Sequence, residues 1–266
     1  MASPFFLVGS GRCGATWLWS IIREHPRIAM SNEARVLDFL YFCNELVNLP
    51  SDKSASCVPM DGVPLQGIVR GECMPVLSPI FIAHCKEICE EFYRERFRDK
   101  AFEWWGDKLP DPRVALGARY LWPDVRYLML VRDPRDVLCS WRQWARRPNV
   151  RALHPELDME ASVLARSWKS IYGGFPNEVE SLLVLRYEDA IVRPHESVRA
   201  LLAHLELDVT SEIEAAIKAN DLFGMHGTSP TLESTIQRWR SELPAADAER
   251  IAEICGEVMR GYDYVV

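Results

Sequence analysis

The sequence predicts an α/β fold in three layers, a parallel β-sheet with helices on both faces. Short apolar runs at residues 5–8, 126–131 and 182–187 alternate with longer segments of helical periodicity. This alternation is typical of parallel strands joined by crossover helices. The residues that follow the strands should therefore meet at the carboxyl edge of the sheet, where open α/β sheets bind ligands.

The composition is that of one globular domain. The chain has 266 residues, 48% of them hydrophobic, and no linker-like or repetitive stretch divides it. A chain of this size can bury one large core, so we expect a single domain over residues 1–266. No apolar run reaches the ~20 residues of a membrane span, and no signal peptide is visible. The sequence thus predicts a cytoplasmic protein, unless it is a trimmed luminal domain.

Charge and cysteine content narrow the partners and cofactors. Lysine and arginine number 31 against 38 acidic residues, a net charge of −7, which argues against duplex nucleic acid as the main partner. The eight cysteines are scattered through apolar surroundings without a C-x-x-C pair. We therefore expect buried free thiols and predict no metal site. Nothing in the sequence indicates the oligomeric state.

The most informative stretch is the glycine-rich loop GSGRCGAT at residues 9–16, between the first apolar run and a helical segment. At such a helix N-terminus, backbone N–H groups and the helix dipole attract a phosphate. The loop nearly matches the nucleoside triphosphatase pattern G-x-x-x-x-G-K-[ST], but Ala15 replaces the lysine. Its cation is Arg12, and no apolar strand ends in an aspartate that would hold magnesium, which weakens the kinase interpretation. Taken alone, the loop is also compatible with a plain strand-to-helix turn.

A second candidate phosphate site follows the strand at residues 126–131. Arg132 ends this strand, and Ser140 lies eight residues later, about two turns into the next helix. A guanidinium and a hydroxyl at this spacing can meet at one phosphate. The alternative is a surface ion pair of Arg132 with Asp133 or Asp136, worth ~0–1 kcal/mol. Spacing alone does not decide between the two.

Both motifs resemble those of sulfotransferases that use 3′-phosphoadenosine 5′-phosphosulfate (PAPS). Residues 9–16 are similar to their 5′-phosphosulfate loop, and VRDPRDVLCS at 131–140 is similar to their 3′-phosphate motif. The resemblance implies a P-loop-like nucleotide-binding fold, PAPS as donor and adenosine 3′,5′-bisphosphate (PAP) as product. It also implies metal-free transfer of a sulfuryl group to a hydroxyl of a small molecule, sugar or peptide. Cys13 and Ala15 stand where serine and a hydroxyl residue are usual, which removes about 1–2 kcal/mol of binding if uncompensated.

The resemblance also implies the catalytic residues. Glu33-Ala34-Arg35 is similar to the Glu-x-Arg of the tyrosylprotein and Golgi carbohydrate branch, whose base is the glutamate, rather than to the histidine-dependent cytosolic branch. Glu33 is then the general base, and Arg35 contacts the acceptor or the base. Lys108, which we expect a glycine turn to present after an aromatic strand, resembles the lysine that contacts the sulfuryl group. Arg12 is the third catalytic candidate, on the 5′-phosphate side. Glu33 as a first-turn helix acid and Lys108 as a solvated loop lysine are the alternatives.

Two later segments resemble parts of the family that contact the nucleotide. Tyr187 ends a strand, and MHGTSP at 225–230 with the downstream Arg238 resembles the loop that closes over the adenosine and the 3′-phosphate. The predicted donor-binding residues are Gly11, Arg12, Cys13, Gly14, Ala15, Thr16, Trp17, Arg132, Ser140, Tyr187, Gly227, Thr228, Ser229 and Arg238.

The acceptor site has no motif of its own. Residues 41–100 and 141–175 match no family segment, and we expect them to shape the acceptor pocket. Five tryptophans, which are more often core residues, are also compatible with an aromatic or apolar acceptor: Trp104, Trp105, Trp122, Trp141 and Trp144. Besides a sulfotransferase, the alternatives are an atypical P-loop kinase and a non-catalytic PAP-binding module.

Overall fold

The structure is a computed structural model, and it describes residues 2–34, 36–37, 74–109, 112–153, 159–219 and 229–266. The strands are β1 Ser3–Val8, β2 Ile28–Asn32, β3 Trp104–Leu109, β4 Arg126–Val131 and β5 Leu182–Arg186. The helices are α1 Ala15–Ile22, α2 Met74–Arg96, α3 Pro112–Leu121, α4 Pro134–Ala145, α5 Pro148–Leu153, α6 Ala161–Gly174, α7 Tyr187–Val192, α8 Pro194–His204, α9 Ser211–Ala219, α10 Trp239–Glu242 and α11 Ala245–Gly261. Short 3₁₀ turns occupy Phe175–Asn177 and Glu233–Thr235.

The five strands form one parallel sheet in the order β2-β3-β1-β4-β5. The central strand β1 carries the apolar run at residues 5–8, and all four of its side chains are fully buried. A strand covered on both faces is continuously apolar rather than alternating, which is why this run is so easily recognised. The predicted α/β fold with a parallel sheet is confirmed.

Two hydrophobic cores lie on opposite faces of the sheet, because successive side chains of a strand alternate between faces. Phe6 and Val8 belong to the core that α3, α4, α6 and α11 cover. Phe5 and Leu7 belong to the core that α1, α7, α8 and α9 cover. In the described part of the chain, no helix is both long and apolar enough to cross a membrane. The five cysteines within the described residues are buried free thiols, as predicted: Cys13, Cys85, Cys89, Cys139 and Cys255.

The five candidate tryptophans differ in their burial. Trp104, Trp105 and Trp122 are buried in the two cores, so the core interpretation holds for them. Trp141 and Trp144 are only partly buried and pack edge to face, with ring centroids 5.1 Å apart. These two remain available to a ligand.

The predicted glycine turn before Lys108 is wrong, because Gly106 and Lys108 both lie within β3. Gly106 lies inside β3 and pairs with Phe5 of β1. A Cβ atom on Gly106 would lie 2.0 Å from the carbonyl oxygen of Phe5, far inside any real contact. The glycine therefore permits the close approach of two strands, and Lys108 projects from the strand itself.

We expect Gly106→Ala to lower the free energy of unfolding by about 1–3 kcal/mol, because the added methyl group forces β1 and β3 apart. For a chain of this size 1 kcal/mol corresponds to about 2–4 °C in Tm, so a thermal melt followed by circular dichroism should show a loss of several degrees. Gly174→Ala is the matched control, because no described atom beyond its chain neighbours and its own helix backbone lies within 4 Å of its Cβ position. Equal Tm values for the two variants would contradict the tight contact at Gly106.

Candidate functional site

A cavity of about 430 Å³ lies where the carboxyl ends of the parallel strands meet. Its wall includes the whole loop at residues 9–16, the turn after β2 with Glu33, and Lys108 near the end of β3. Arg132 and Ser140, from the end of β4 and from α4, line it as well. The two predicted phosphate sites and both main catalytic candidates therefore share one cavity.

The loop after β1 is held in shape by tyrosines from distant parts of the chain. Gly14 has a φ of 99°, a conformation that favours glycine, and a Cβ atom there would lie 2.4 Å from the Tyr187 ring. The Tyr172 hydroxyl accepts the Ser10 N–H at 2.9 Å and donates to the Leu130 carbonyl at 2.9 Å. No side chain among the described residues caps α1. The first-turn N–H groups of this helix are therefore suited to an anion.

Arg132 joins three segments of the chain at the second phosphate site. Its Nη1 donates to the Arg12 carbonyl at 3.1 Å, and its Nη2 donates to the Thr235 carbonyl at 2.8 Å. The guanidinium carbon lies 4.4 Å from the centre of the Tyr187 ring. The buried Nε has no hydrogen-bond partner within the part of the chain that the structure describes. An unsatisfied buried donor is costly, so this nitrogen fits a site for an anionic ligand.

The surface alternative for Arg132 is wrong. Asp133 caps α4 and forms a buried ion pair with Arg135, with 2.7 Å between Nη2 and Oδ2. The Asp136 carboxylate accepts the backbone N–H groups of Gln237 at 2.7 Å and of Trp239 at 2.9 Å. Arg132 and both acids are buried, and Arg132 lines the cavity, so no surface ion pair forms here.

The Arg12 side chain lies at the second phosphate site. Its Nε donates to the Ser140 hydroxyl at 3.2 Å. Burial lowers the pKa of Arg12 to about 10, and the nearby charges of Arg147 and Arg132 act in the same direction. Clustered, partly desolvated cations of this kind are stabilised by a multiply charged anion. The placement of Arg12 at the 5′-phosphate stays a prediction, since its contact is with the residue predicted for the 3′-phosphate.

The predicted base and the predicted lysine are in direct contact. Glu33 follows β2 with a φ of 59°, and its Oε1 accepts a hydrogen bond from Lys108 Nζ at 2.5 Å. The same Nζ donates to Thr16 Oγ1 at 3.2 Å. Only 12% of the Lys108 side chain is exposed, so the solvated-lysine alternative is wrong. In the described residues, His, Cys, Asp and Glu side chains form no group of three that could hold a metal.

Three of the predicted donor-binding residues have hydrophobic or aromatic side chains that are buried. The side chains of Cys13 and Trp17 are buried in the core beneath α1, so these residues offer their backbone to the cavity. Tyr187 is also buried, and its hydroxyl shares a 2.8 Å hydrogen bond with Thr235 Oγ1. Tyr187 also lines the cavity, with its ring beside Gly14 and the Arg132 guanidinium.

The predicted nucleotide-binding segment at residues 225–238 has the least support from the structure. Three predicted residues lie outside the described part of the chain: Arg35, Gly227 and Thr228. Ser229 is described but is not among the residues that line this cavity. Arg238 is buried, and its guanidinium contacts both carboxylate oxygens of Glu242, at 3.0 and 2.6 Å. Arg238 does not line this cavity either, so the structure gives its proposed role as a second 3′-phosphate cation no support.

Sequence reasoning missed part of the cavity wall. Leu232 and Thr235 line it, and Thr235 contacts Arg132 through its backbone carbonyl, which carries no residue-type signal. Trp141 and Trp144, two of the tryptophans already named from the sequence as compatible with an aromatic acceptor, line it as well. Their i, i+3 spacing places them on one helix face, and this signal was available in the sequence.

The chain belongs to the sulfotransferase family. The family model described as "Sulfotransferase family" matches residues 4–211, which is well over half of the chain.

Individual relatives agree with this assignment. Human carbohydrate sulfotransferase 3 is 24% identical over 238 residues, which cover 72% of this chain and 46% of the relative. The chain thus matches less than half the length of this protein. The sulfotransferase domain of the Synechococcus PCC 7002 olefin synthase has a TM-score of 0.63 at 18% identity, covering 100% of this chain and 96% of that chain. Mouse sulfotransferase SULT7A1, solved in complex with PAP, has a TM-score of 0.53 at 13% identity, covering 97% and 85%. These structures confirm the fold.

Proposed function

We propose that this protein transfers a sulfuryl group from PAPS to an acceptor hydroxyl, with Glu33 as general base and without a metal ion. One observation carries the proposal: two groups of cationic and hydroxyl side chains share one cavity with a carboxylate. Arg132 and Arg12 accompany Ser140 in one group, and Lys108 accompanies Thr16 and Glu33 in the other.

The residues present fit a nucleotide with phosphate groups at both ends of its ribose. Arg132, with its unpartnered buried Nε, and Ser140 would hold the 3′-phosphate. The N–H groups at the start of α1, together with Thr16, would hold the 5′-phosphosulfate end. PAP in the mouse relative supports this assignment. Loss of the side-chain hydroxyls at Cys13 and Ala15 leaves this backbone contribution intact.

Glu33 and Lys108 have the chemistry that the transfer requires. When bound, PAPS supplies the electrophilic sulfur and a phosphate leaving group. The Glu33 carboxylate would take the proton of the acceptor hydroxyl, as a general base does. The Lys108 ammonium, beside Thr16, would stabilise the negative charge that develops at the leaving oxygen. Because the charge to be stabilised is smaller than in phosphoryl transfer, these protein cations can replace a metal ion.

Turnover that does not depend on metal tests this proposal against the kinase alternative. We expect the protein to convert PAPS to PAP in the presence of a hydroxyl acceptor such as a phenol or a sugar, and to do so equally well with EDTA or added magnesium. PAP formation can be followed by chromatography, with ATP in place of PAPS as the control. Strict magnesium dependence with ATP turnover would support a kinase instead.

Part of the cavity wall is aromatic. Trp141 and Trp144 line the cavity on the same helix as Ser140, with their rings packed edge to face. Such a surface suits the apolar face of a phenol or a sugar ring. The assignment to the glutamate-dependent branch, the acceptor and a cytoplasmic location all remain proposals.

A further inference from the structure

A buried carboxylate lies directly beneath the pair formed by Glu33 and Lys108. Asp107 is fully buried in β3 and precedes Lys108. Its Oδ1 accepts the backbone N–H groups of Glu33 and Lys108, both at 2.8 Å. Its Oδ2 accepts the Ala34 N–H at 2.8 Å and the Tyr93 hydroxyl at 3.3 Å. Three of the four donors are therefore the backbone of the two predicted catalytic residues and of Ala34 beside them.

A carboxylate at this position is costly for the fold. Burial raises the pKa of Asp107 to about 6, against the opposing effect of the hydrogen bonds from Ala34, Glu33, Lys108 and Tyr93. The sheet needs no acid here, because an apolar side chain in a buried strand avoids the desolvation cost. The hydrogen bonds of Asp107 therefore indicate a role outside the sheet.

The strained conformation of Glu33 shows what that role is. Its φ of 59° lies in the left-handed region, which a residue other than glycine adopts at a cost of about 1–3 kcal/mol. The two oxygens of Asp107 bind the N–H groups of Glu33 and of the next residue, on both sides of this conformation. The turn thus fixed holds the Glu33 carboxylate 2.5 Å from Lys108 Nζ.

We propose that Asp107 is a positioning residue that holds the general base and the lysine in their relative geometry. The inference rests on the proposed function, since it assigns Glu33 as the base. Asp107 lines no part of the cavity and acts through hydrogen bonds to the backbone. It is not a catalytic residue.

The first test is Asp107→Asn, which keeps the size but replaces one accepting oxygen with an amide NH2 group, a donor that would face a backbone N–H donor. We expect kcat to fall by about 10- to 100-fold, the effect of a small misplacement of a reacting group. The KM for PAPS and the Kd for PAP should stay within about twofold, because neither phosphate site changes. Tyr93→Phe removes only the hydroxyl donor and should leave kcat within about twofold. A kcat for D107N equal to that of the wild type would overturn the proposal.

A double-mutant cycle shows whether Asp107 acts through Glu33. In the Glu33→Gln background, D107N should cause little further loss of kcat, because the base that it positions is already absent. Additive losses would mean that Asp107 acts elsewhere and would overturn the proposal. If the wild type binds PAP but transfers nothing, the proposed function fails at that step and this inference with it. An active wild type whose kcat is unchanged by D107N would instead contradict the positioning role alone and leave the proposed function intact.

Amide hydrogen exchange provides a readout that needs no nucleotide. Residues 33 and 34 should exchange at least about tenfold faster in D107N than in the wild type, while the amides of β1 keep their protection. Unchanged exchange at 33 and 34 would contradict the proposal. If D107N does not fold, Asp107→Ser enters the same measurements. Failure of both variants to fold would assign Asp107 to stability and overturn the positioning role.

Discussion

Glu33→Gln is expected to reduce turnover by about 10²- to 10⁴-fold, the usual size of a general-base effect. Glutamine keeps the shape of the side chain beside Lys108 but cannot take the proton of the acceptor hydroxyl. The phosphate sites around Arg132 and Thr16 are unchanged, so the Kd for PAP measured by calorimetry should stay within about twofold. The variant would thus separate transfer from nucleotide binding.

Glu24→Gln is the matched control for this substitution. Glu24 is exposed, forms an ion pair with its neighbour Arg23 and does not line this cavity, so the same chemical change there should leave kcat unaltered. An E33Q protein with wild-type turnover would remove Glu33 from the mechanism. A wild type that binds PAP without any transfer would favour the non-catalytic module.

Arg132→Ala should weaken PAP binding by about 10- to 100-fold, the worth of hydrogen bonds to a charged group. AMP, which lacks the 3′-phosphate, should lose little affinity, because the 5′-phosphate site is built from the loop at 9–16. Calorimetry with both nucleotides measures the ratio of the two losses. This ratio, rather than the loss itself, identifies the group that Arg132 binds.

The comparison of PAP with AMP is needed because Arg132 also donates hydrogen bonds to two backbone carbonyls, so its removal could disturb the cavity itself. Equal losses for PAP and AMP would mean that Arg132 maintains the shape of the cavity and does not contact the 3′-phosphate. Arg250→Ala removes the same charge on α11, where the side chain is exposed and pairs with Glu253, and it should change neither affinity.

Much of the fold could be predicted from local patterns. The strands β1 and β4 are continuous apolar runs that are bounded by glycine or by Asp-Pro, so their place in a parallel sheet follows from the residues. The glycine loop, Arg132 and Ser140 could be predicted because their function depends on spacing along the chain. Glu33 and Lys108 required the family resemblance, since neither has a local signal.

The features that the sequence did not predict arise from contacts between distant segments. Gly106 has the residue type of a turn, and only its pairing with Phe5 shows that it lies in a strand. Aspartate is a residue type common in loops. Its presence in the buried strand β3 is explained only by the backbone N–H groups of Glu33 and Ala34, which donate to Asp107 from a distant part of the chain. The contact of Arg12 with Ser140 joins residues 128 positions apart, a separation that spacing arguments do not cover.

The hydrogen bonds from Arg132 to the carbonyls of Arg12 and Thr235 hold two segments of the cavity wall together, and the same side chain is proposed to bind the nucleotide. The Arg132 guanidinium links the loop after β1 to the segment before α10. Release of the product PAP and separation of these two segments therefore both break interactions of this side chain. Local opening of residues 229–242 and the residence time of the product are therefore expected to vary together, with the filled cavity resisting proteolysis longer than the empty one.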